Sequence, residues 1–134
     1  MTRYTTQVSD ITTDQLEGFF VGWPNPPSTH THLELLKAST HAVVALREDK
    51  VVGFVTAVSD GVLSAYIPLL EVLPAYQGQG IGKELIKQMI ARLDHLYMID
   101  VVCDEAIAGF YDSLGFERAT AMIKRNYERQ SGRT

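Results

Sequence analysis

One cysteine, one tryptophan and five prolines in 134 residues set the first limits on this chain. A lone thiol, Cys103, has no intramolecular partner, which excludes a disulfide framework and fits a reducing compartment. No apolar run reaches membrane-spanning length, and the opening MTRYTTQVSD lacks the apolar region of a signal peptide. Positive charge is also in short supply. Twelve Lys and Arg against sixteen Asp and Glu leave a formal net charge of −4, which argues against a general nucleic-acid or anionic-membrane binder. What remains is a cytoplasmic, soluble domain. Its 46% hydrophobic and 21% charged residues are globular values, and the length suits one domain with a real core.

Glycine is not scarce, and it is concentrated where it matters. Val72-Leu73-Pro74-Ala75-Tyr76-Gln77-Gly78-Gln79-Gly80-Ile81-Gly82-Lys83-Glu84-Leu85 passes from a strand-like run through a three-glycine turn into a periodic helix. Glycines let the backbone approach a ligand, and a helix N-terminus offers free N–H groups and a positive dipole end. Together they make an anion cradle, most often for phosphate or pyrophosphate. The alternative is a tight strand-to-helix connection. Two phosphate motifs fail here. Gln77 stands where a P-loop needs glycine and Glu84 where it needs Ser or Thr; Lys83 takes the third glycine position of a dinucleotide fingerprint begun at Gly78 and Gly80. The pattern that fits is Gln77-x-x-Gly80-x-Gly82, preceded by Val72-x-Pro74.

In chain order, residues 3–8 alternate weakly as an edge-like strand. Thr12 and Gln15 form a capping-box start for a short helix ending near Phe20 to Gly22, with Ile11 stapling onto Leu16. Trp23 and the prolines 24, 26 and 27 force an extended loop. A second helix begins at 28–31 and runs to Ala38, turning Leu33 and Leu36 inward. His41 to Leu46, Val51 to Val58 and Val62 to Leu73 read as an antiparallel meander, with Asp60-Gly61 as a two-residue hairpin. From Ile81, the spacing of Leu85, Ile86, Met89, Ile90 and Leu93 is helical. Tyr97 to Cys103 reads as a fully buried strand, parallel to its predecessor because a helix joins them. Asp104 caps a helix Glu105 to Leu114 that Gly115 terminates, and Arg118 to Tyr127 is a final strand or strand pair.

The loop motif resembles the acetyl-CoA loop of the GNAT superfamily of N-acetyltransferases. The segment 104–116, DEAIAGFYDSLGF, resembles that family's Asn-x-x-Ala-x-x-x-Tyr-x-x-x-Gly-Phe motif. Element order agrees along nearly the whole chain. The resemblance implies an α+β, three-layer fold: a mixed, mostly antiparallel sheet of six to seven strands flanked by about four helices. One N-acetyltransferase domain would cover residues 1–129, with a disordered tail over 130–134.

It also implies acetyl-CoA as cosubstrate, without a metal. Backbone N–H groups across Gln77, Gly78, Gln79, Gly80, Ile81 and Gly82 would grip the pyrophosphate, Lys83 adding charge or standing as a solvated helix residue. Leu70 and Val72 would pair with the pantetheine arm. Tyr111 would lie beside the thioester sulfur as general acid; the plainer reading is an aromatic core residue. Asp104 replaces the family asparagine that contacts pantetheine, and an ionised Asp accepts but cannot donate there.

An amine acceptor must lose a proton, and an alkyl ammonium has a pKa near ~10.4. Counting back from Gln77 puts Tyr66 and Pro68 where some family members carry a base. Open alternatives are Glu71, a water relay ordered by Tyr66 and main-chain carbonyls, and His30 or His32. Strand alternation puts Glu71 opposite Val72 unless a bulge intervenes. Phe19, Phe20 and Trp23 fall in the segment that walls the family's acceptor site, though Phe19 and Phe20 also read as core. Cys103 is read as a structural thiol, and Lys124, Arg125 and Arg129 as solvated. The implied function is acetyl transfer to a primary amine of a small molecule or peptide in a ternary complex, by a monomer or homodimer with no nucleic-acid or membrane partner. The alternative is an acyl-CoA-binding regulatory module with little catalysis.

Overall fold

A computed structural model describes residues 1–132. Its centre is a five-stranded sheet of order β1-β2-β3-β4-β5. The strands are β1 (Thr2–Thr5), β2 (His41–Arg47), β3 (Lys50–Ser59), β4 (Ser64–Val72) and β5 (Met98–Val101). The first four are antiparallel neighbours and β5 joins β4 in parallel. Three α-helices complete the fold: α1 (Thr29–Ala38), α2 (Ile81–Leu93) and α3 (Ala108–Asp112).

The β-branched runs of β2 and β3 are buried on both faces because a helical layer covers each side. On one side α2 contributes Ile81, Leu85, Ile86, Met89 and Leu93, which pack with Val43, Val52, Val55, Ile67 and Tyr111 of α3. On the other, Leu36 of α1 joins Ile11, Leu16, Phe20, Val44 and Phe54. The mixed α+β class follows, with five strands and three α-helices among the described residues rather than the six to seven and about four expected.

Four local expectations need correction. The helix expected after Thr12 is one 3₁₀ turn, Thr13–Leu16. Gln15 Oε1 does accept the Thr12 N–H at 2.8 Å, but positive φ at Gly18, Phe20 and Gly22 prevents continuation. The β3–β4 connection is a four-residue loop rather than a two-residue turn. Asp60 Oδ1 accepts the N–H groups of Val62, Leu63 and Ser64, and these bonds hold its carboxyl down at about 2. β5 is not fully buried: it is the last strand of the sheet, with Met98 and Asp100 exposed and Ile99 and Val101 half-buried. The helix after Asp104 is split into a 3₁₀ turn, Glu105–Ile107, and the short α3, and the Asp104 side chain makes no cap bond. Gly115 ends α3 at φ +92°, as its position implies.

The expected final strand, 118–127, is not formed among the described residues; residues 117–126 run as an exposed, unpaired arm. Of the tail expected over 130–134, residues 133 and 134 lie outside the described residues. Gln130 accepts the Asn25 N–H at 2.9 Å.

Candidate functional site

β4 and β5 are bonded only through Ser64–Ile67 and Met98–Val101. Beyond Ile67 no strand among the described residues lies on the β5-facing side of β4, so Pro68 to Val72 border an opening in the sheet. A bulge lies at the same place. Between the pairs Thr56↔Leu69 and Val58↔Tyr66, β4 advances three residues while β3 advances two. Proline cannot donate to a ladder and is tolerated at bulges, so Pro68 is the sequence signal of this break. The extra residue sends Leu70 and Val72 to the same face as Ala65 and Ile67, toward α2, and Leu69 to the α1 face.

The glycine turn closes the far end of this opening. A 3₁₀ turn, Pro74–Tyr76, leads into Gly78 at φ +79° and Gly80 at φ +83°, and Gly80 is the N-cap of α2. Both glycines occupy the left-handed region, and a Cβ at either would meet no protein atom within 4 Å. The first main-chain bond of α2 is Glu84 N–H to Gly80 O. The N–H groups of Gly78, Gln79, Gly80, Ile81, Gly82 and Lys83 therefore have no protein acceptor among the described residues.

Side chains hold this crown of donors in shape. Gln77 Nε2 donates to Val72 O at 3.0 Å, tying the turn to the end of β4. Arg47 Nη2 donates to Gln79 Oε1 at 3.0 Å, and its guanidinium lies 5.2 Å from the Tyr76 ring centroid. Gln77 and Gln79 thus contribute structure through their side chains. Ile81 is buried in the core, so only its backbone faces outward, and Lys83 is exposed. Gly82 differs from its neighbours: its φ is ordinary, and a Cβ there would sit 3.7 Å from Val72 Cγ2 and 3.8 Å from Phe110 Cζ.

Phe110 brings α3 beside Gly82, and Tyr111 follows it into the core. Their rings are edge-to-face at 5.0 Å, and Tyr111 packs likewise on Phe116 at 5.5 Å. Tyr111 is 6% exposed, and burial pushes its hydroxyl up to about 12, with the like charge that a Cys103 thiolate would carry adding to it. That hydroxyl stays protonated throughout the physiological range. Cys103 is partly buried against the same core, and Asp104 is exposed.

The remaining sequence candidates fall on the α1 face. Glu71 accepts the Phe20 N–H at 2.9 Å and the Val21 N–H at 3.3 Å. It anchors the loop in which Phe20 is held at φ +63°. Phe20 is buried, and Phe19, Phe20, His32 and Phe54 form one aromatic cluster with centroids 4.4–6.0 Å apart. Phe19 and Phe20 border a cavity of about 220 Å³ that also includes His32, Pro26 and Pro27. Trp23 is not among that cavity's lining residues; it leans on Phe20 at 4.9 Å and is 37% exposed. His32 is buried with Nε2 unpartnered, and burial lowers its pKa to about 4. His30 is exposed, 3.7 Å from Glu34.

Tyr66 faces a second, open groove of about 410 Å³ shared with Val58, Asp60, Met98 and Asp100. Asp100, aligned with Tyr66 in the β4–β5 register, is a carboxylate that sequence reading passed over. The signal was a charged residue in a run taken as wholly buried. Among the described residues, no cluster of His, Cys, Asp or Glu is placed to hold a metal.

One region thus combines a sheet opened beside a bulge, a crown of free N–H groups at its end and, on the neighbouring α3, a buried phenol that keeps its proton. The family model described as the Acetyltransferase (GNAT) family matches residues 8–116, and the chain belongs to that family. It is 33% identical to Histone acetyltransferase TAP1 of Glycine max over 78% of its length, covering 50% of that protein. It is 30% identical to N-alpha-acetyltransferase RimI of Mycobacterium tuberculosis over 84% of its length, covering 73% of that protein. The chain spans about half the length of several curated relatives it matches. Among solved structures, an acetyltransferase of Deinococcus radiodurans superposes at TM-score 0.96 with 42% identity, covering 99% of this chain and 94% of that one.

Proposed function

We propose that this protein moves an acetyl group from acetyl-CoA to a primary amine of a small molecule or peptide, by direct attack in a ternary complex. The observation that carries this reading is the set of unpaired N–H groups from Gly78 to Lys83, at the end of an opened parallel strand pair. Such a set neutralises a pyrophosphate without needing a charged side chain, and the α2 dipole adds to it.

From the cradle, the pantetheine arm follows the unpaired edge of Leu70 and Val72 toward Tyr111. A hydroxyl with a pKa of about 12 holds its proton against the departing sulfur, whose thiol has a pKa near ~8.5. Tyr111 therefore stabilises the leaving thiolate by donating a hydrogen bond, and complete transfer of its proton is uphill. With Glu71 committed to the loop N–H groups, deprotonation of the amine falls to a water ordered by Tyr66 and nearby carbonyls. Asp100 in the same groove attracts the ammonium form. The names of the relatives favour a protein or peptide amine. The protein acts in the cytoplasm, with no nucleic-acid or membrane partner; among the described residues no helix is long and apolar enough to cross a membrane.

The test is thiol release from acetyl-CoA against a panel of peptide N-termini, lysine peptides, polyamines and aminoglycosides. Saturable, amine-dependent release with an acetylated product is expected. Acceptor-independent hydrolysis alone, with CoA still bound, would contradict it and point to a binding module.

A further inference from the structure

The cavity of about 220 Å³ on the α1 face has no part in the chemistry at Tyr111. It lies between the loop carrying Phe19 and Phe20 and the start of α1, where Pro26, Pro27, Ser28 and Thr29 line its other wall. The two prolines bring no donors of their own. Past them, the N–H groups of Ser28, Thr29 and His30 have no acceptor among the described residues, and the next, Thr31 N–H, is capped by Ser28 Oγ at 3.1 Å. α1 therefore begins at this cavity with free donors and the positive end of a ten-residue helix dipole.

A second group converges on the same space. His32 lines the cavity, is 1% exposed, and its Nε2 has no partner among the described residues. Side chains on a helix lean toward its N-terminus, so the imidazole, one turn past Ser28, leans back toward the free N–H groups. A buried nitrogen left unpaired costs stability, and this one stands at the wall of a space several times the ~30 Å³ of one water. The neutral ring donates from Nε2 when its proton sits there. Leu16, Phe19 and Phe20 give the cavity apolar sides. Glu17 is the one carboxylate in the lining and is exposed; Lys50 Nζ donates to its main-chain oxygen at 3.1 Å, which sets a cation beside it.

We propose that this cavity is a carboxylate-binding subsite, in which the N–H groups at the start of α1 hold one oxygen and His32 Nε2–H the other. The apolar sides take a short hydrocarbon body. Phe20 N–H donates to Glu71 of β4, so the subsite adjoins the strand that borders the opening. The carboxylate comes either from the amine acceptor, a source that rests on the acetyl-transfer reading, or from a free small acid.

Butyrate and its neutral counterpart butyramide are the probes, read by ¹⁵N spectra at neutral pH. Millimolar butyrate should move the Thr29 and His30 amides and the His32 ring nitrogens, and butyramide should leave them in place. Thr29→Pro removes one N–H at the first helical position, where proline is tolerated after an extended Ser28 at ψ 167°. Thr29→Pro and His32→Leu should each weaken butyrate binding about tenfold or more, while Thr29→Ala, which keeps the N–H, should bind as wild type does. Amino acids and short peptides, each beside its carboxamide, separate the two sources. A kcat/KM preference for the carboxylate form that Thr29→Pro removes assigns the group to the acceptor; equal values with butyrate binding intact assign it to a free acid. Butyrate binding in a protein that acetylates no amine would end the acetyl-transfer reading and leave the subsite standing. Butyrate that moves none of those resonances, butyramide acting equally, or Thr29→Pro binding butyrate like wild type would each overturn the proposal.

Discussion

His32 offers a sharp test of the packing behind the site. Its ring lies 4.4 Å from that of Phe54 and 4.9 Å from that of Phe20, and it is 1% exposed with Nε2 unpartnered. Burial lowers its pKa from 6.5 to about 4. The unfolded chain therefore binds a proton that the folded chain refuses between those two values, and stability falls as pH drops through that window. Between about pH 7 and about pH 5 this linkage removes about 2 kcal/mol, rising toward about 3 kcal/mol below pH 4. Replacing His32 with Leu, similar in volume and unable to titrate, removes the effect. Urea unfolding at both pH values measures it: wild type should lose about 2 kcal/mol more than His32→Leu between them. Equal losses in the two proteins would refute the reasoning and would mean that Nε2 has a partner that lets the imidazolium form. A ring so enclosed and so hard to protonate is a poor candidate for the general base.

Tyr111→Phe should lower turnover by roughly 10²–10³-fold with little change in CoA affinity, read from steady-state kinetics and calorimetry, as for the loss of one hydrogen-bond donor to a developing anion; loss within twofold would leave Tyr111 as packing. Glu71→Ala should lower the melting temperature and raise the acceptor KM, because the Phe20–Val21 loop loses both of its carboxylate anchors, each worth about 1.5–3 kcal/mol. If instead Glu71→Gln abolishes turnover with stability intact, Glu71 is the base. Trp23→Ala should raise the acceptor KM several-fold and leave the acetyl-CoA KM unchanged; an unaltered acceptor KM contradicts a place for Trp23 at the acceptor.

Much of the fold was legible because its signals are local. The α2 stripe from Ile81 to Leu93 and the β-branched runs of β2 and β3 need only periodicity, and Gly115 needs only its own backbone. The failures came where distant contacts decide. Thr12 and Gln15 do form their bond, but the chain after Leu16 is held in loop form by Glu71, fifty-one residues from Phe20. The bulge at Pro68 has a sequence signal, yet its consequence, Leu70 and Val72 on the face of Ile67, depends on register with β3. Strand propensity over 118–127 was read, but propensity alone does not provide an edge, and no described strand of the same chain lies beside it. In the site, the glycine loop was legible as a cradle, while the cause of its glycines was only half seen. Gly80 requires its positive φ regardless of ligand, whereas Gly82 sits where a side chain would narrow the passage between Val72 and Phe110.

The central claim is that the N–H groups from Gly78 to Lys83 bind the diphosphate of CoA. Amide chemical shifts of ¹⁵N-labelled protein, recorded during titration with CoA and separately with pantetheine, test it most directly. CoA should shift the Gly78, Gly80, Gly82 and Lys83 amides more than any others, and pantetheine, which lacks the diphosphate, should leave them nearly in place. CoA binding that leaves those four amides unmoved, or pantetheine shifting them equally, would contradict the account.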